Sequence, residues 1–237
     1  MNKTGISWTD FTWNPISGCT KVSEGCAFCY AEAWSKRWHR SFEPMFHEEK
    51  LKEGRTIPSG SKVFVNSMSD LFHEKIPLAD IHAVFNEIRS REDVIFQVLT
   101  KRPMRALEYA ETYRNIPYNA WVGVSVENIN HKDRIDILKK VNVVNRFISF
   151  EPLIGDVGEL DLSHISWVII GGESGPHHRP MNMEWARNIV KQAKEQGVAV
   201  WMKQLGGMRP GGNLEDFPED LRIREFPDEM RIMEVMK

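Results

Sequence analysis

The sequence predicts an α/β chain whose parallel strands curl into a partial or full TIM-like (β/α) barrel, as a single domain. Three observations predict it. Short apolar runs rich in Val, Ile and Phe recur along the chain, amphipathic helical segments separate them, and chemistry-bearing polar residues stand at the ends of the runs. A length of 237 residues suits one such barrel. A doubly wound open sheet is the structural alternative.

The runs are KVFVNS at 62–67, DVIFQVLT at 93–100, AWVGVSVE at 120–127, NRFISFEP at 145–152, SWVIIGG at 166–172 and VAVWMKQ at 198–204. Each reads as a buried strand, because a parallel strand covered on both faces is apolar throughout. A further strand just before Cys19 brings the number to about seven. Between them, Ile81, Val84, Phe85 and Ile88 recur at spacings of three and four, and Ile135 pairs with Leu138, as crossover helices require. Pro103 suits a first helical turn, Asn182 an N-cap for 183–196, and Gly197 a C-terminal cap. The barrel is assigned to 1–205 with a mixed insertion at 42–61, and 206–237 to a Gly/Pro-rich tail packing on the barrel.

Composition limits what the chain does. With 41% hydrophobic and 27% charged residues it has the balance of a soluble globular protein. A formal net charge of -2 leaves no global attraction for nucleic acid, so such a contact needs a local basic patch. The N-terminus lacks the apolar run of a signal peptide and no stretch approaches a membrane span, which predicts a cytoplasmic protein without a membrane partner.

In parallel sheets the active site gathers at the carboxyl ends of the strands. Asn66, Ser67, Ser69 and Asp70 stand there, followed by Thr100, Lys101 and Arg102, then Ser125, Glu127 and Asn128, then Ser149 and Glu151, then Glu173 and Ser174, and finally Lys203 and Gln204. Glu127, Glu151 and Glu173 directly follow apolar runs, so each needs a partner or a ligand, and Lys101, Arg102 and Lys203 are the available counter-charges. A purely structural ring of ion pairs is the competing account.

The cysteines carry the sharpest signal. Cys19, Cys26 and Cys29 fall within eleven residues, separated by six and then two, and no other cysteine occurs. An odd count in a reducing compartment argues for metal ligation over disulfides. Three thiolates leave one iron of a 4Fe-4S cluster open to a small molecule. The alternative is a structural Cys₃His zinc site completed by His39, His47 or His73.

With Phe28 before the last cysteine and Tyr30 after it, the loop resembles the cluster loop of the radical S-adenosylmethionine superfamily. The phrases SWTDFTWNPISGC, CYAE, VFVNSMSDLF, LTKRP, SFEPL, IIGGESG and MKQLG also resemble its phage-associated three-cysteine family of undefined function, across nearly the whole chain. The resemblance implies a 4Fe-4S cluster on Cys19, Cys26 and Cys29, S-adenosylmethionine chelating the open iron, and a deoxyadenosyl radical released after electron delivery by a donor such as flavodoxin or ferredoxin. It departs from the superfamily in two ways. The first spacing is six residues where three is usual, and Gly171-Gly172-Glu173 comes far later than the superfamily's Gly-Gly-Glu motif, whose place is taken by Asn66-Ser67-Met68-Ser69-Asp70.

The cofactor-binding candidates are therefore Asn66, Ser67, Ser69, Asp70, Ser125 and Glu127, the latter two towards the ribose. The catalytic candidates are Glu127, Glu151, Glu173, Lys203 and, as a hydrogen donor, Tyr30. The substrate is unidentified. A nucleic acid or nucleotide would meet Lys36, Arg37, His39, Arg40, Lys101, Arg102, Arg105, His177, His178 and Arg179, with Trp34 and Trp38 for stacking. The competing function is a non-catalytic binding module stabilised by zinc or a cluster.

Overall fold

The structure is a computed structural model describing residues 2–114, 116–208 and 211–228. Seven parallel strands make the frame: β2 (Phe11–Trp13), β5 (Lys62–Val65), β6 (Ile95–Thr100), β7 (Ala120–Ser125), β8 (Asn145–Phe150), β9 (Trp167–Gly171) and β10 (Ala199–Gln204), paired in that order. They curl into a half-barrel. A short β1 (Asn2–Lys3) adds antiparallel to β2 at one edge, and β2 does not pair with β10. The partial barrel is the observed form of the predicted class.

The helices α2 (Leu78–Arg89) and α4 (Asp133–Lys140) form where the periodicity puts them, and α3 (Pro103–Tyr113) and α5 (Met183–Glu195) where the boundary residues mark them, after α1 (Tyr30–Arg37). Pro103 opens α3, and the Asn182 side chain accepts from the Glu184 amide 2.9 Å away. Gly197, beyond the end of α5, adopts the left-handed φ of 67° that favours glycine at a helix exit.

Two cores lie on the two faces of the sheet. The buried apolar residues of α2 to α5 pack on the outer face with Val63, Val98, Val124, Ile148, Ile170 and Met202. The inner face instead gathers Phe64, Trp121, Phe147, Trp167, Ile169 and Trp201 beneath Trp8. Helices on one face only distinguish this from a doubly wound sheet. A ring inside a half-barrel needs a gap opposite it, and Gly123 supplies one: an added Cβ there would lie 2.6 Å from the Phe147 ring.

The tail covers the free edge of β10. The Met202 amide donates to Ile223 O at 2.9 Å and the Glu225 amide to Val200 O at 2.8 Å, while Phe217 and Leu221 enter the outer core. This masks a row of backbone groups that would otherwise invite intermolecular pairing. Residues 229–237 lie outside the described residues. The 42–61 insertion supplies β4 (Met45–Phe46), which pairs with β3 (Ile16–Ser17) below the cysteine loop, and a 3₁₀ stretch over Glu48–Thr56. Among the described residues, no helix is long and apolar enough to cross a membrane.

Candidate metal centre

Side chains alternate across a strand. Since Trp121, Phe147 and Trp201 point inward, Lys101, Ser125, Glu127, Ser149, Glu151 and Lys203 continue the inner face beyond the aromatic floor. The strand-end residues therefore meet at one mouth, as their positions predict. Lys203 Nζ lies 2.6 Å from Glu151 Oε1, and Lys101 donates to Glu127 Oε1.

Glu127 is fully buried. It also accepts from Ser23 Oγ at 2.6 Å and from Arg134 Nη1 at 2.8 Å. Burial pushes its carboxyl up, but Lys101, Arg134 and the Ser23 hydrogen bond more than offset this, so it lies below the usual glutamate range. Glu173 behaves in the same way with a different partner: Arg179, six residues on, clasps it through Nε at 2.8 Å and Nη2 at 2.5 Å and holds its carboxyl low against the opposing effect of burial. Each of the three glutamates thus carries its own cation.

Asp70 uses both carboxylate oxygens within the loop. Oδ1 accepts from Thr100 Oγ1 at 2.7 Å and the Phe72 amide at 3.0 Å; Oδ2 accepts from the Lys101 amide at 3.1 Å and Arg102 Nη1 at 3.2 Å. Ser69 Oγ donates to Ile16 O at 2.8 Å and Ser67 Oγ to Asn14 Oδ1 at 3.2 Å. Asn66 differs. Its backbone takes a left-handed φ of 60°, its Oδ1 accepts from the Ile16 amide at 3.1 Å, and its buried Nδ2 has no partner among the described residues. A buried unpaired donor is costly, so this amide suits an incoming acceptor such as a carboxylate.

The cysteine loop spans this mouth. Cys19 Sγ lies 3.5 Å from Arg102 Nη1, and Arg102 also binds Thr20 O at 2.9 Å, Asp70 and Glu74. Burial, with the nearby Asp70 carboxylate, pushes the Cys19 thiol up to about 11, although Arg102 pulls the other way. Cys26 Sγ is 3.6 Å from Ser23 Oγ, the hydroxyl that reaches Glu127. Cys29 immediately precedes α1, whose first residue, Tyr30, donates its hydroxyl to Ser67 O.

The six residues between Cys19 and Cys26 have a structural use. They carry the chain out to a 3₁₀ turn at Glu24–Cys26, where Glu24 accepts from Asn128 Nδ2 at 2.6 Å, pairs with His131 at 2.7 Å and presents its carbonyl to Arg179. The Asn128 and His131 contacts hold the Glu24 carboxyl down at about 2. Gly25 must be small, because a Cβ there would lie 2.4 Å from Glu127 Cγ.

Arg134, Arg179 and Ser23 are the site residues that strand-end reading misses. Arg134 carries a helical signal and Ser23 a loop signal, so neither spacing points to Glu127. Lys101 and Arg102 act as the counter-charges their positions suggest, paired with Glu127 and Asp70, and Arg179, grouped by sequence only with candidate nucleic-acid contacts, pairs with the buried Glu173.

Cys19, Cys26 and Cys29 are free thiols on one loop beside the strand ends, the donor set that would hold a cluster with one iron left open. Among the described residues no three His, Cys, Asp or Glu side chains surround a point that would hold a single metal ion. Of the histidines considered for zinc, His73 Nε2 bonds to Thr20 Oγ1 at 2.9 Å, beside Cys19, and His47 Nε2 to Ser17 Oγ at 2.7 Å. His39 follows α1 with a left-handed φ of 50°.

No curated protein and no solved structure matches the chain. A family described as "Protein of unknown function (DUF5131)" matches residues 3–227, and the chain belongs to that family.

Proposed function

We propose that the protein is a radical S-adenosylmethionine enzyme, with Cys19, Cys26 and Cys29 holding a 4Fe-4S cluster over the open end of the half-barrel. The observation that carries this reading is the seating of the three-cysteine loop on the strand ends through Arg102, Glu127 and Tyr30, beside the unpaired Asn66 amide. When bound, the cluster would supply one electron, received from a flavodoxin- or ferredoxin-like donor, to break the C5′–S bond of S-adenosylmethionine into methionine and a deoxyadenosyl radical.

In this reading the chain's own residues bind, orient and exclude water. Asn66 Nδ2 donates to the methionyl carboxylate of the cofactor, since its Oδ1 is held by the Ile16 amide. Ser125 lies in the layer above the aromatic floor, where a ribose would sit. Glu127 works as a positioning residue: it is fully buried and triply bonded, so it fixes the loop and does not meet substrate. Lys203 and Glu151, both partly exposed, are the pair best placed to contact a substrate. The aromatic floor keeps water from below.

A second reading follows from the same ion pairs. Glu24, Glu127 and Glu173 all pin the loop, which is what a metal-stabilised binding module would need. The two readings part at one assay. Reduction of the anaerobically loaded protein with S-adenosylmethionine should yield 5′-deoxyadenosine, and Cys26→Ala should abolish it. No deoxyadenosine under strong reductant, from protein carrying its cluster, would refute the enzymatic reading.

A further inference from the structure

Helix α1 buries two small residues, Ala31 and Ser35, and turns an aromatic stripe to solvent. Tyr30, Trp34 and Trp38 follow one another at steps of four, on one face of the helix, and are 52%, 43% and 58% exposed. Each step advances about 6 Å along the axis, and the Trp34 and Trp38 rings stand 6.4 Å apart. They form a row of exposed rings, not an enclosed pocket. Exposed apolar area gathered this way marks a binding surface more often than chance.

The charge beside the stripe is one-sided. Lys36, Arg37 and Arg40 lie within it, and no acidic residue occurs between Ala33 and Phe42, although the whole chain carries a net charge of -2. Arg40 sits over one face of the Trp34 ring at 5.1 Å, which places a cation within the row and leaves the opposite face to a base. Lys36 pairs with Glu32 at the stripe's start, and among the described residues Arg37 and Arg40 form no salt bridge. At its other end the row meets the mouth: Tyr30 follows Cys29 and bonds to Ser67, and the 43% exposed Phe28 beside it packs on His177 and under Arg179.

Alternating flat rings and cations are the chemistry that recognises an unpaired polynucleotide, whose bases offer faces and whose phosphates offer charge. A duplex keeps its base faces stacked inside. We infer that the α1 stripe binds single-stranded nucleic acid, with bases stacking on Trp34 and Trp38 and phosphates facing Arg37 and Arg40, and leads the strand towards the half-barrel mouth. That the strand is the substrate rests on the proposed function; its binding does not.

The test uses the full-length protein, with and without its cluster. Fluorescein-labelled oligothymidine, oligouridine and a mixed-sequence duplex are titrated by fluorescence anisotropy at several salt concentrations. The single strands should bind more tightly than the duplex, and binding should weaken with salt. Trp34→Ala and Trp38→Ala should each weaken single-strand binding by about tenfold, and Trp38→Phe should restore most of it. Both side chains are exposed, so circular dichroism should be unchanged. Single strands failing to bind, duplex binding equally well, or the alanine variants binding like the parent would overturn the inference. So would capture of an acidic electron-carrier protein by the same rings while oligonucleotides are ignored. Binding without deoxyadenosine formation would leave this surface intact and sink only the enzymatic reading.

Discussion

Replacing Glu127 by glutamine keeps the shape of the side chain and removes its charge, which isolates the electrostatic role of the most buried acid at the mouth. Two cations face it. Lys101 has a side chain 19% exposed and can swing towards water, whereas the Arg134 side chain is only 7% exposed and stays stranded. Breaking a buried pair by removing one partner costs about 3–5 kcal/mol; with one of the two cations able to escape, the low end, about 3 kcal/mol, is expected. For a chain of this size that lowers Tm by roughly 6–12 °C.

The pH dependence follows from the depressed carboxyl of Glu127. Its stabilisation is full above the unfolded glutamate value of about 4.3 and is lost as pH falls through the lower folded value. Thermal denaturation followed by circular dichroism should therefore show the whole difference between parent and Glu127→Gln at pH 7, and a shrinking one below about pH 4. Adding Arg134→Met should recover part of the loss, because the stranded charge is gone. A Tm change of less than about 2 °C at pH 7, or strictly additive effects in the double variant, would show that the Glu127 charge does not hold Arg134 in place.

The thiol of Cys19, raised to about 11, should resist alkylation in metal-free protein. At pH 8 only about one molecule in a thousand carries the thiolate, so iodoacetamide labelling at Cys19, read by peptide mass mapping, should rise nearly tenfold per pH unit towards pH 11; a plateau by pH 9 would contradict the environment described. Gly25→Ala drives a methyl group into Glu127 and should lift the loop. The expected result is a severalfold loss of iron retained per chain while far-ultraviolet circular dichroism stays at the parent level; unchanged retention would show that the loop tolerates the displacement.

Much of this fold is legible in the sequence because a parallel strand covered on both faces reads as an unbroken apolar run. Trp167–Gly171 and Ala199–Gln204 fall inside their predicted segments for that reason. Asn182, Pro103 and Gly197 are legible too, since capping chemistry is local. Closure of the barrel is not local. Whether seven strands meet edge to edge depends on curvature, and here the tail residues Ile223 and Glu225 pair along β10 in place of another strand.

The mouth was legible as a set of residues but not as a set of pairs. Lys101 with Glu127 and Lys203 with Glu151 join charges from neighbouring or converging strand ends, which chain order suggests. Arg102 could not be placed that way. It turns across to Asp70, Glu74 and Cys19, because Lys101 and Arg102 point in opposite directions from the end of the same strand. The long first cysteine spacing, a departure when read as a motif, is explained once the Glu24–Cys26 turn is seen docked on Asn128, His131 and Arg179.

The central claim is that Cys19, Cys26 and Cys29 hold an iron–sulfur cluster with an open iron for S-adenosylmethionine. Anaerobic reconstitution, with iron, acid-labile sulfide and zinc determined per chain and the electron paramagnetic resonance of the reduced protein recorded before and after S-adenosylmethionine, tests it most directly. About four iron and four sulfide per chain are expected, lost in Cys19→Ala, Cys26→Ala and Cys29→Ala, with a resonance that changes when S-adenosylmethionine is added. Stoichiometric zinc without acid-labile sulfide would contradict it.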